Sequence, residues 1–505
     1  MVDYYDGTIE ENHREAIERA TTDRSFANWI DGESVAATTD ETFETIDPAV
    51  TDPITAIPRS GEADVDKAVA AARDAIDGEW GDTTAAERSR LLQEWIETLR
   101  EHADELALLE SLDVGKPLGH AHGEIEKALE FLEYYAAVSR GQEGVQVPVS
   151  TDAHVYTRQE PYGVVGAIVP WNFPLVLASW KLGPALAAGN AVVLKPAEDS
   201  PLTATRVAQL SKDVFPDGVL NVVHGYGEEA GAPLAGHDGV DKLSFTGEDV
   251  TGEEVMRTAA DSITPVTLEL GGKSPFLVFP DADLDAAVET VAGGIFYNTG
   301  QSCDAPSRVL VHEDVHDEFV DRFVEAAEAH VIGDPLVEET TMGPLASQAQ
   351  YEKVTGYVET GLDDGATLVA GGDRPAGDEL EDGWFVEPTV FDDVDNEMRV
   401  AREEVFGPVE TINTFSEYEE AITIANDTPY GLAAGVATEN TDLAHRAAAD
   451  LEAGSVWINT YGSTVTGGPF GGYKRSGIGR ECGKDALEYY TQTKTVNVEL
   501  GDTSL

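Results

Sequence analysis

Residues 155 to 280 alternate short runs of β-branched residues with helical segments, and no other feature restricts the fold as much. Five runs predict strands: VVGAIV (164–169), AVVLKP (191–196), LNVVHG (220–225), DKLSFTG (241–247) and TPVTLEL (264–270). Strands separated by helices, with short connections, predict an α/β fold whose parallel sheet is covered on both faces. In such sheets, ligands bind beyond the carboxyl ends of the strands.

Further structured blocks flank this region. Residues 64–140 carry apolar residues at three- and four-residue spacings, which predicts helices interrupted at Gly115-Lys116-Pro117. A second α/β block extends from about 275 to 465, and within it residues 311–331 predict an amphipathic helix. A chain of 505 residues exceeds what one hydrophobic core usually serves, so we expect two or three domains.

The composition is strongly acidic, with 95 Asp and Glu against 32 Lys and Arg and a formal net charge of −63. Because phosphate binding needs a basic face, the charge argues against nucleic acid as a partner. The N-terminal residues lack the basic and apolar regions of a signal peptide, and no 18-residue apolar run is present. With only two cysteines, the chain is expected to be cytoplasmic, without disulfides or a membrane contact.

Two long stretches, 161–196 and 453–480, contain no acidic residue. Each is either buried or kept free of negative charge for an anionic ligand. The first is largely apolar, so both explanations stay open for it. The second contains Lys474, Arg475 and Arg480, which favours ligand binding there.

Polar residues follow two of the predicted strands. Asn172, in PWNFP, offers an amide N–H to a developing oxyanion, and is otherwise an ordinary turn residue. Lys195 and Glu198 follow the next strand, where a carboxylate would accept hydrogen bonds from ribose hydroxyls and repel a 2′-phosphate. This favours NAD over NADP, and the alternative is a surface ion pair.

Two later strand ends carry further candidates. Gly247 and Gly252, in FTGEDVTG, offer a helix N-terminus to a pyrophosphate, although Glu248 would repel it unless it points away or is paired. Glu269, in LELGGKSP, ends an apolar strand. Apolar surroundings raise the pKa of a carboxyl group and suit it to general-base catalysis, and the alternative is a turn cap.

The cysteines and histidines leave alternatives open. Cys303, in FYNTGQSCDAPSR, is a buried apolar residue, a metal ligand or a nucleophile. Cys482 has no evident base or glycine loop beside it, so we interpret it as structural. His120 and His122 lie in a helical region, where positions i and i+2 diverge, so no metal site is predicted.

In their order along the chain, the motifs resemble those of the aldehyde dehydrogenase superfamily, from about residue 25 to 497. The resemblance implies an α/β protein with a Rossmann-like NAD-binding domain (25–141 and 160–272) and an α/β catalytic domain that carries the nucleophilic cysteine (273–475). It also implies a small β oligomerisation segment (142–159 and 486–500), an N-terminal extension (1–24) and a homodimer or homotetramer. The matching stretches are SLDVGKPL, EPYGVVGAIVPWNFPL, LKPAE, FTGEDVTG, LELGGKSP, NTGQSC, EEVFGPV, NDTPYGLAAGV and PFGGYKRSGIGRECGKDALEYYTQTKTV.

The resemblance implies oxidation of an aldehyde to its acid through a thiohemiacetal and a thioester. Cys303 would be the nucleophile, Glu269 the general base that favours hydrolysis over transfer to coenzyme A, and Asn172 the oxyanion-hole amide. Lys181 and Glu481 would relay protons to and from Glu269. A catalytically silent relative, acting as a binding or structural protein, would lack one of the first three. Residues implied to bind the cofactor, NAD, are Trp171, Lys195, Glu198, Gly247, Gly252, Leu270, Glu404 and Phe406.

The substrate is predicted only as a class. Aromatic residues in the implied pocket suit a quaternary ammonium such as betaine aldehyde, and a semialdehyde is the other candidate. Asp304 would raise the pKa of the neighbouring Cys303 thiol, so we expect its carboxylate to point toward the substrate entrance or a basic partner. The pocket residues implied are Phe173, Trp180, Tyr297, Ser302, Asp304 and Phe470.

The net charge also predicts a protein from a salt-accumulating cell, because self-repulsion strains the fold in dilute buffer. We expect the thermal unfolding midpoint to rise between about 0.1 M and about 3 M potassium chloride, since the screening length falls to roughly 3 Å in molar salt. Sucrose at equal osmolality is the control, because it does not screen charge. A midpoint that stays constant in potassium chloride would contradict the hypothesis.

Overall fold

The computed structural model describes residues 2–149 and 152–501. Its largest sheet has five parallel central strands flanked by three antiparallel ones. All five strands predicted between 155 and 280 form its parallel core, which confirms the α/β prediction. With strands numbered along the chain, the order is Gly477–Ile478 (β19), Val266–Glu269 (β11), Lys242–Thr246 (β10), Val164–Ile168 (β7), Ala191–Lys195 (β8), Leu220–Val222 (β9), Asn28–Ile30 (β1) and Glu33–Val35 (β2).

Helices cover both faces of this first sheet, because successive residues of each strand point to opposite sides. Val164 and Ile168 belong to one apolar cluster, and Val165 and Ala167 to the other. Glu62–Asp77 (α2), Ala232–Ala235 (α8) and Asp249–Ser262 (α9) pack on the first side. The helices on or beyond the second side are Ile9–Thr21 (α1), Ala85–Glu101 (α3), Ala103–Val114 (α4), Leu118–Val138 (α5), Pro174–Ala188 (α6) and Pro201–Gln209 (α7).

Helix α6 is buried along its whole length. Together with β7 and β8 it makes up most of the first acid-free stretch, so burial accounts for most of that stretch. The second acid-free stretch is different, because residues 455–469 are mostly half-buried or exposed.

The second sheet has seven strands, of which only the first in spatial order is antiparallel to its neighbour. Its order is Thr367–Ala370 (β14), Thr389–Asp392 (β15), Val409–Phe415 (β16), Arg308–His312 (β13), Pro275–Val278 (β12), Ala433–Ala437 (β17) and Ser455–Ile458 (β18). The helices of this half are Leu284–Ile295 (α10), His316–Glu328 (α11), Gln348–Asp364 (α12), Arg399–Arg402 (α13), Tyr418–Asn426 (α14) and Thr441–Asp450 (α15).

The helix predicted over 311–331 is wrong at its start. Val311 and His312 complete strand β13, where Val311 lies between Val278 and Thr414 in the parallel ladder. The helix α11 begins only at His316, after a turn. Apolar residues at the end of a buried strand continued the helical periodicity, and the sequence pattern alone did not separate the two elements.

A small antiparallel sheet stands apart from the two large ones. It consists of Thr491–Glu499 (β20), Ala153–Pro161 (β6) and Gln146–Val147 (β5), and β20 is an edge strand with mostly exposed residues. Residues 150 and 151 of the predicted oligomerisation segment, and Met1 of the N-terminal extension, lie outside the described residues. Thr42–Ile46 (β3) and Pro53–Pro58 (β4) form a separate hairpin. Within the described ranges, no helix is long and apolar enough to cross a membrane.

Candidate active site

Two cavities meet at Cys303, beyond the carboxyl ends of the first sheet's strands. Cys303 and Leu177 line both of them. The first cavity is lined by Pro170, Trp171, Asn172, Leu177, Thr246, Gly247, Glu248, Glu269, Leu270, Gly271, Cys303, Gln350, Lys353, Glu404 and Phe406. The second, of about 610 Å³, is open to the surface and contains all six residues of the predicted substrate pocket. A side chain at this junction can reach a ligand in either cavity.

Asn172 joins the loop after β7 to the loop that carries Cys303. Its Nδ2 donates to the carbonyl oxygen of Gln301 at 2.9 Å, and its own carbonyl accepts from Asn298 Nδ2 at 2.9 Å. Lys116 Nζ also donates to that carbonyl, at 3.1 Å. Since a primary amide has two N–H donors, one remains for a ligand in the first cavity, which fits the oxyanion role predicted for Asn172.

The Cys303 thiol is half-buried, and burial raises its pKa well above the usual range. The Asp304 carboxylate is the next cause, ahead of Glu404 and Glu269. Asp304 lines the second cavity, as expected, and accepts a hydrogen bond from the Ser302 hydroxyl at 2.6 Å instead of pairing with a base. Asp304 still raises the pKa of the Cys303 thiol, although a carboxylate pointing away from the sulfur was expected to avoid this effect.

Glu269 ends β11, directly opposite Thr246 in the parallel ladder. Burial raises the pKa of its carboxyl group well above the usual range, and the nearby Glu481 adds to the rise. Lys181 and Arg480 oppose the rise without cancelling it. Neither carboxylate oxygen makes a regular hydrogen bond to any described residue, so both are free to accept a proton.

The two residues predicted to relay protons are paired behind Glu269. Lys181, on α6, donates from Nζ to Glu481 Oε1 and to Thr246 Oγ1, each at 2.7 Å. Glu481 is held by reciprocal backbone hydrogen bonds with Phe470, which lines the second cavity. Both side chains of the ion pair are fully buried.

Two glycines after β11 allow the backbone there to pack directly against Glu404 and the Cys303 loop. A Cβ on Gly271 would lie 2.2 Å from Glu404 Oε2, and one on Gly272 would lie 2.5 Å from the carbonyl oxygen of Cys303. The Gly272 N–H donates to Glu404 Oε1 at 2.8 Å. Burial raises the pKa of Glu404 to about 7. The LELGGKSP motif therefore brings the two halves of the protein into contact at the first cavity.

The predicted cofactor residues occupy two places. Trp171, Gly247, Leu270, Glu404 and Phe406 line the first cavity, where the Trp171 and Phe406 rings meet edge to face at 5.4 Å. Gly252, in α9, packs under Leu270, since a Cβ there would lie 2.6 Å from Leu270 Cδ2.

Lys195 and Glu198 lie at the end of β8, outside both cavities. Lys195 Nζ donates to Glu198 Oε2 at 3.2 Å and to the carbonyl oxygen of Pro196 at 2.9 Å. Lys195 is buried and Glu198 is half-buried. The pair is therefore not an ordinary surface ion pair, although it does not contact the Cys303 region.

Sequence reasoning missed the basic residue of the first cavity. Lys353, on α12, lines this cavity and pairs with Glu248 at 3.1 Å. It is the only Lys or Arg between Arg322 and Arg374. A single basic residue in such a long acidic segment could have indicated a functional position from the sequence. Glu248 is the N-cap residue of α9. The ion pair therefore connects α9, which packs on the first large sheet, with α12, which lies in the half of the protein that contains the second.

The second cavity has an aromatic wall, two acidic residues, Glu124 and Asp304, and one basic residue, Lys127. Phe173 and Tyr297 stack at 6.3 Å, and Trp180 contacts Phe470 at 5.2 Å. The Tyr297 hydroxyl donates to Glu124 Oε1 at 2.7 Å. The His120 ring stacks on the other side of Tyr297, at 4.8 Å, and no described group of three His, Cys, Asp or Glu could hold a metal ion.

Comparison with known proteins identifies the family. Residues 35–496 match the model of the Aldehyde dehydrogenase family. The chain belongs to the aldehyde dehydrogenase family. An aldehyde dehydrogenase of Emericella nidulans is 46% identical over 476 residues, which cover 94% of this chain and 95% of that protein.

Solved aldehyde dehydrogenases share the fold over nearly their whole length. The NAD⁺ complex of aldehyde dehydrogenase from Bacillus cereus is 47% identical, with a TM-score of 0.93 over 96% of this chain and 98% of that one. Betaine aldehyde dehydrogenase from Staphylococcus aureus, also in complex with NAD⁺, is 38% identical, with a TM-score of 0.95 over 97% and 98% of the two chains.

The Glu248–Lys353 pair leads to a prediction about cofactor affinity. Replacing Glu248 with Ser removes a negative charge and leaves Lys353 free to attract an anionic dinucleotide. We expect NAD to bind several-fold more tightly in low salt, and the gain to shrink in molar salt because the charges are screened. Isothermal titration at both salt concentrations measures it.

The matched control is Glu254→Ser, which removes the same charge from an exposed position of α9. Equal gains in both variants would show that net charge alone is responsible. No gain at low salt for Glu248→Ser would contradict an electrostatic role for the pair.

The raised thiol pKa leads to a pH prediction. Only the thiolate is alkylated, so a raised pKa moves the rise of the iodoacetamide reaction rate to higher pH. Asp304→Asn removes one cause of that rise, and the rate curve should move to lower pH. The Asp314→Asn variant, altered at an exposed acid, is the control. Cys482 is fully buried and contributes no alkylation. Superimposable curves for the two variants would contradict the prediction.

Proposed function

We propose that this protein oxidises an aldehyde to the carboxylic acid with NAD as the oxidant. The observation that carries the proposal is the place of Cys303, at the junction of one cavity that contains Glu269 and a second with an aromatic wall. The NAD⁺ complexes of the Bacillus cereus and Staphylococcus aureus enzymes support the choice of cofactor. A catalytically silent relative is the alternative, and the presence of Cys303, Glu269 and Asn172 argues against it.

The donor set of the first cavity suits a dinucleotide. Trp171, Leu270 and Phe406 offer apolar surface to a nicotinamide ring, and the Glu404 carboxylate can accept hydrogen bonds from ribose hydroxyls. Gly247 precedes α9, whose N-terminus favours phosphate. Glu198 is the carboxylate that would disfavour a 2′-phosphate, and with Lys195 it would hold the adenosine ribose. When bound, NAD accepts the hydride that leaves the aldehyde carbon.

In the first half of the reaction, the Cys303 thiolate attacks the aldehyde carbonyl from the junction. The free N–H of Asn172 and the backbone N–H of Cys303 would hold the oxygen as it becomes negative. Loss of one such donor costs about 3 to 4 kcal/mol in comparable acyl-transfer sites. Loss of the hydride then leaves an acyl thioester on Cys303.

In the second half, Glu269 would take a proton from water as the water oxygen attacks the thioester. Its raised pKa makes it a stronger base than an exposed carboxylate, at the expense of a smaller ionised fraction at low pH. Lys181 and Glu481, paired behind it, would carry the proton away. The acid is released and the thiolate is restored.

The aromatic wall formed by Phe173, Trp180, Tyr297 and Phe470, with Asp304 nearby, suits an apolar or cationic aldehyde. Betaine aldehyde is the first substrate to test, supported by the similarity to the betaine aldehyde dehydrogenase of Staphylococcus aureus, and a semialdehyde is the second. Ser302 would contact the substrate through the loop that carries the nucleophile.

The predicted assembly and division into domains belong to the same proposal. The NAD-binding, catalytic and oligomerisation segments keep the ranges given above, and a homodimer or homotetramer in the cytoplasm is proposed. The exposed edge strand β20 supports the oligomer, because its backbone can pair with another chain.

Two variants test the mechanism. Cys303→Ala should lower aldehyde-dependent NADH formation by more than about a thousandfold. Cys482→Ala, the matched control, should keep its activity and lose only some thermal stability, because Cys482 is buried in the core. Glu269→Gln should still form a thioester but lose steady-state turnover by about a hundredfold or more, since the base is gone. The measurements are NADH absorbance across a panel of aldehydes in high salt and mass spectrometry of the acyl-enzyme.

Activity retained in Cys303→Ala would overturn the mechanism.

A further inference from the structure

One face of the two strands β10 and β11 is polar along its whole length. Lys242, Ser244 and Thr246 alternate on β10 and point toward α6, beside Thr267 and Glu269 of β11. All five side chains are buried. The opposite face, formed by Leu243, Phe245 and Leu268, is apolar, as expected for central strands of a parallel sheet.

The polar side chains form a continuous chain of hydrogen bonds. Lys242 Nζ donates to Thr267 Oγ1 at 3.2 Å, and Thr267 Oγ1 donates to Ser244 Oγ at 3.1 Å. Ser244 Oγ donates to Glu481 Oε1 at 3.4 Å, which is the oxygen that also accepts from Lys181. The chain therefore continues the Lys181–Glu481 pair away from Glu269 and toward the opposite end of the sheet.

The two ends of the chain face different surroundings. Glu269 and Thr246 lie at the carboxyl end, next to the first cavity. Lys242 is the first residue of β10, roughly 13 Å further back at the usual rise per residue. There the surface is close, since Asp241 is 32% exposed and Pro265, which pairs with Leu243, is exposed.

Lys242 differs from an ordinary buried lysine because no carboxylate binds its amine in the part of the chain that the structure describes. Burial, together with the Lys181 charge, lowers its pKa to about 7, and Glu481 opposes this. Tyr490, whose hydroxyl donates to Ser244 at 3.1 Å, and the buried Cys482 beside Glu481 are further titratable groups near the chain. An amine in this condition can accept and release a proton near neutral pH.

We propose that Lys242 is the far end of a proton path that takes the proton of thioester hydrolysis from Glu269 to the opposite edge of the sheet. The inference rests on the proposed function. It extends beyond the Lys181–Glu481 relay because it assigns Ser244, Thr267 and Lys242 to proton transfer. None of these three residues touches the reacting atoms.

The proton is accounted for at each step. Water gives one proton to Glu269 while its oxygen bonds to the acyl carbon, and the C–S bond breaks to leave the Cys303 thiolate. The second proton of the water stays on the carboxylic acid, which loses it to solvent outside this path. Glu269 passes the proton to Glu481, whose Oε2 makes no hydrogen bond to a described residue. The hydrogen bonds described above are directed from Lys242 toward Glu481, so the Ser244 and Thr267 hydroxyl groups first rotate toward Lys242. Each then accepts one proton and gives up another. The neutral Lys242 amine becomes an ammonium and then releases the proton to solvent.

The decisive variant is Thr267→Val, which removes one hydroxyl from the path and keeps the side-chain shape. NADH formation and proton release are recorded together by stopped-flow, with a pH indicator, after mixing the full-length enzyme and NAD with limiting aldehyde. We expect NADH formation to keep its wild-type rate. Of the two protons released per aldehyde, the one that leaves through Glu269 should appear at least about threefold more slowly. The solvent deuterium isotope effect on that release should also increase.

Two matched variants separate proton transfer from structure. Thr267→Ser keeps a hydroxyl and should release protons at the wild-type rate. Thr203→Val removes a hydroxyl that is buried in α7 of the same half and makes no hydrogen bond to a described residue, and it should also behave as wild type. If Thr267→Val does not fold, Lys242→Met decides instead, because it removes the terminal amine and should slow the same release.

The outcomes distinguish this inference from the proposed function. Wild-type proton release in Thr267→Val, or equally slow release in Thr267→Ser, would overturn the path. Slowing of NADH formation to the same extent as proton release would point to a structural defect and would also overturn it. Absence of NADH formation by the wild-type enzyme with every aldehyde would overturn the proposed function, and the path with it.

Discussion

The site depends on the hydrogen bonds that Asn172 makes across the boundary between the two large sheets. Its side-chain amide binds the carbonyl of Gln301, and its own carbonyl receives Asn298 and Lys116. The loop after β7 and the loop before β13 are therefore fixed to one another. Because Cys303 lies two residues beyond Gln301, the same contacts set the thiol at the junction of the two cavities. A small displacement of either loop would separate the proposed nucleophile from its oxyanion donor.

The contact between the Asn172 loop and the Cys303 loop is supported by a buried charged residue, Lys116. Lys116 is fully buried and lies between Glu110 and Glu124, with its Nζ 3.9 Å from Glu110 Oε2 and in contact with the Glu124 carboxylate. Burial raises the pKa of Glu110 to about 7. A buried ion pair is weak evidence for stability, since desolvation offsets the attraction. Here the ion pair positions groups of both cavities. The Lys116 ammonium donates to the backbone carbonyl of Asn172, and Glu124 accepts a hydrogen bond from the Tyr297 hydroxyl in the second cavity.

Much of the architecture was predictable because the five parallel strands of the first sheet are short, rich in β-branched or other apolar residues, and close to a glycine or proline. The rule that ligands bind beyond strand ends predicts from the sequence that Asn172 and Glu269 lie beside a ligand site, and both residues line the first cavity. The start of α11 was not predictable, since Val311, at the end of a buried strand, also fits the apolar spacing of an amphipathic helix. Lys353 was also missed, because its importance comes from the approach of α12 to α9 and not from its neighbours in sequence.

The polar face of β10 is a second feature whose importance could not be predicted from the sequence. The alternation Lys242, Ser244, Thr246 is visible in the sequence, and period two is the signature of a strand with one polar face. Its meaning requires the parallel register, which sets Ser244 beside Thr267 and Thr246 beside Glu269. Pairing between strands separated by a helix leaves no local signal, so the hydrogen-bond chain becomes visible only in three dimensions.

The cost of burying a carboxylate explains where the acidic residues of this protein lie. The surface carries most of the 95 acidic residues, whereas β7, α6 and β8 carry none. A carboxylate there would be buried without a partner, at a cost of several kcal/mol. The acids that do reach the interior of the site, Glu269, Glu404 and Glu481, each lie at the edge of the first sheet or its cavity and next to a possible proton or hydrogen-bond donor. A protein of charge −63 that is proposed to bind an anionic dinucleotide thus keeps Lys353 at its first cavity and neutralises the nearest exposed acid, Glu248, with it.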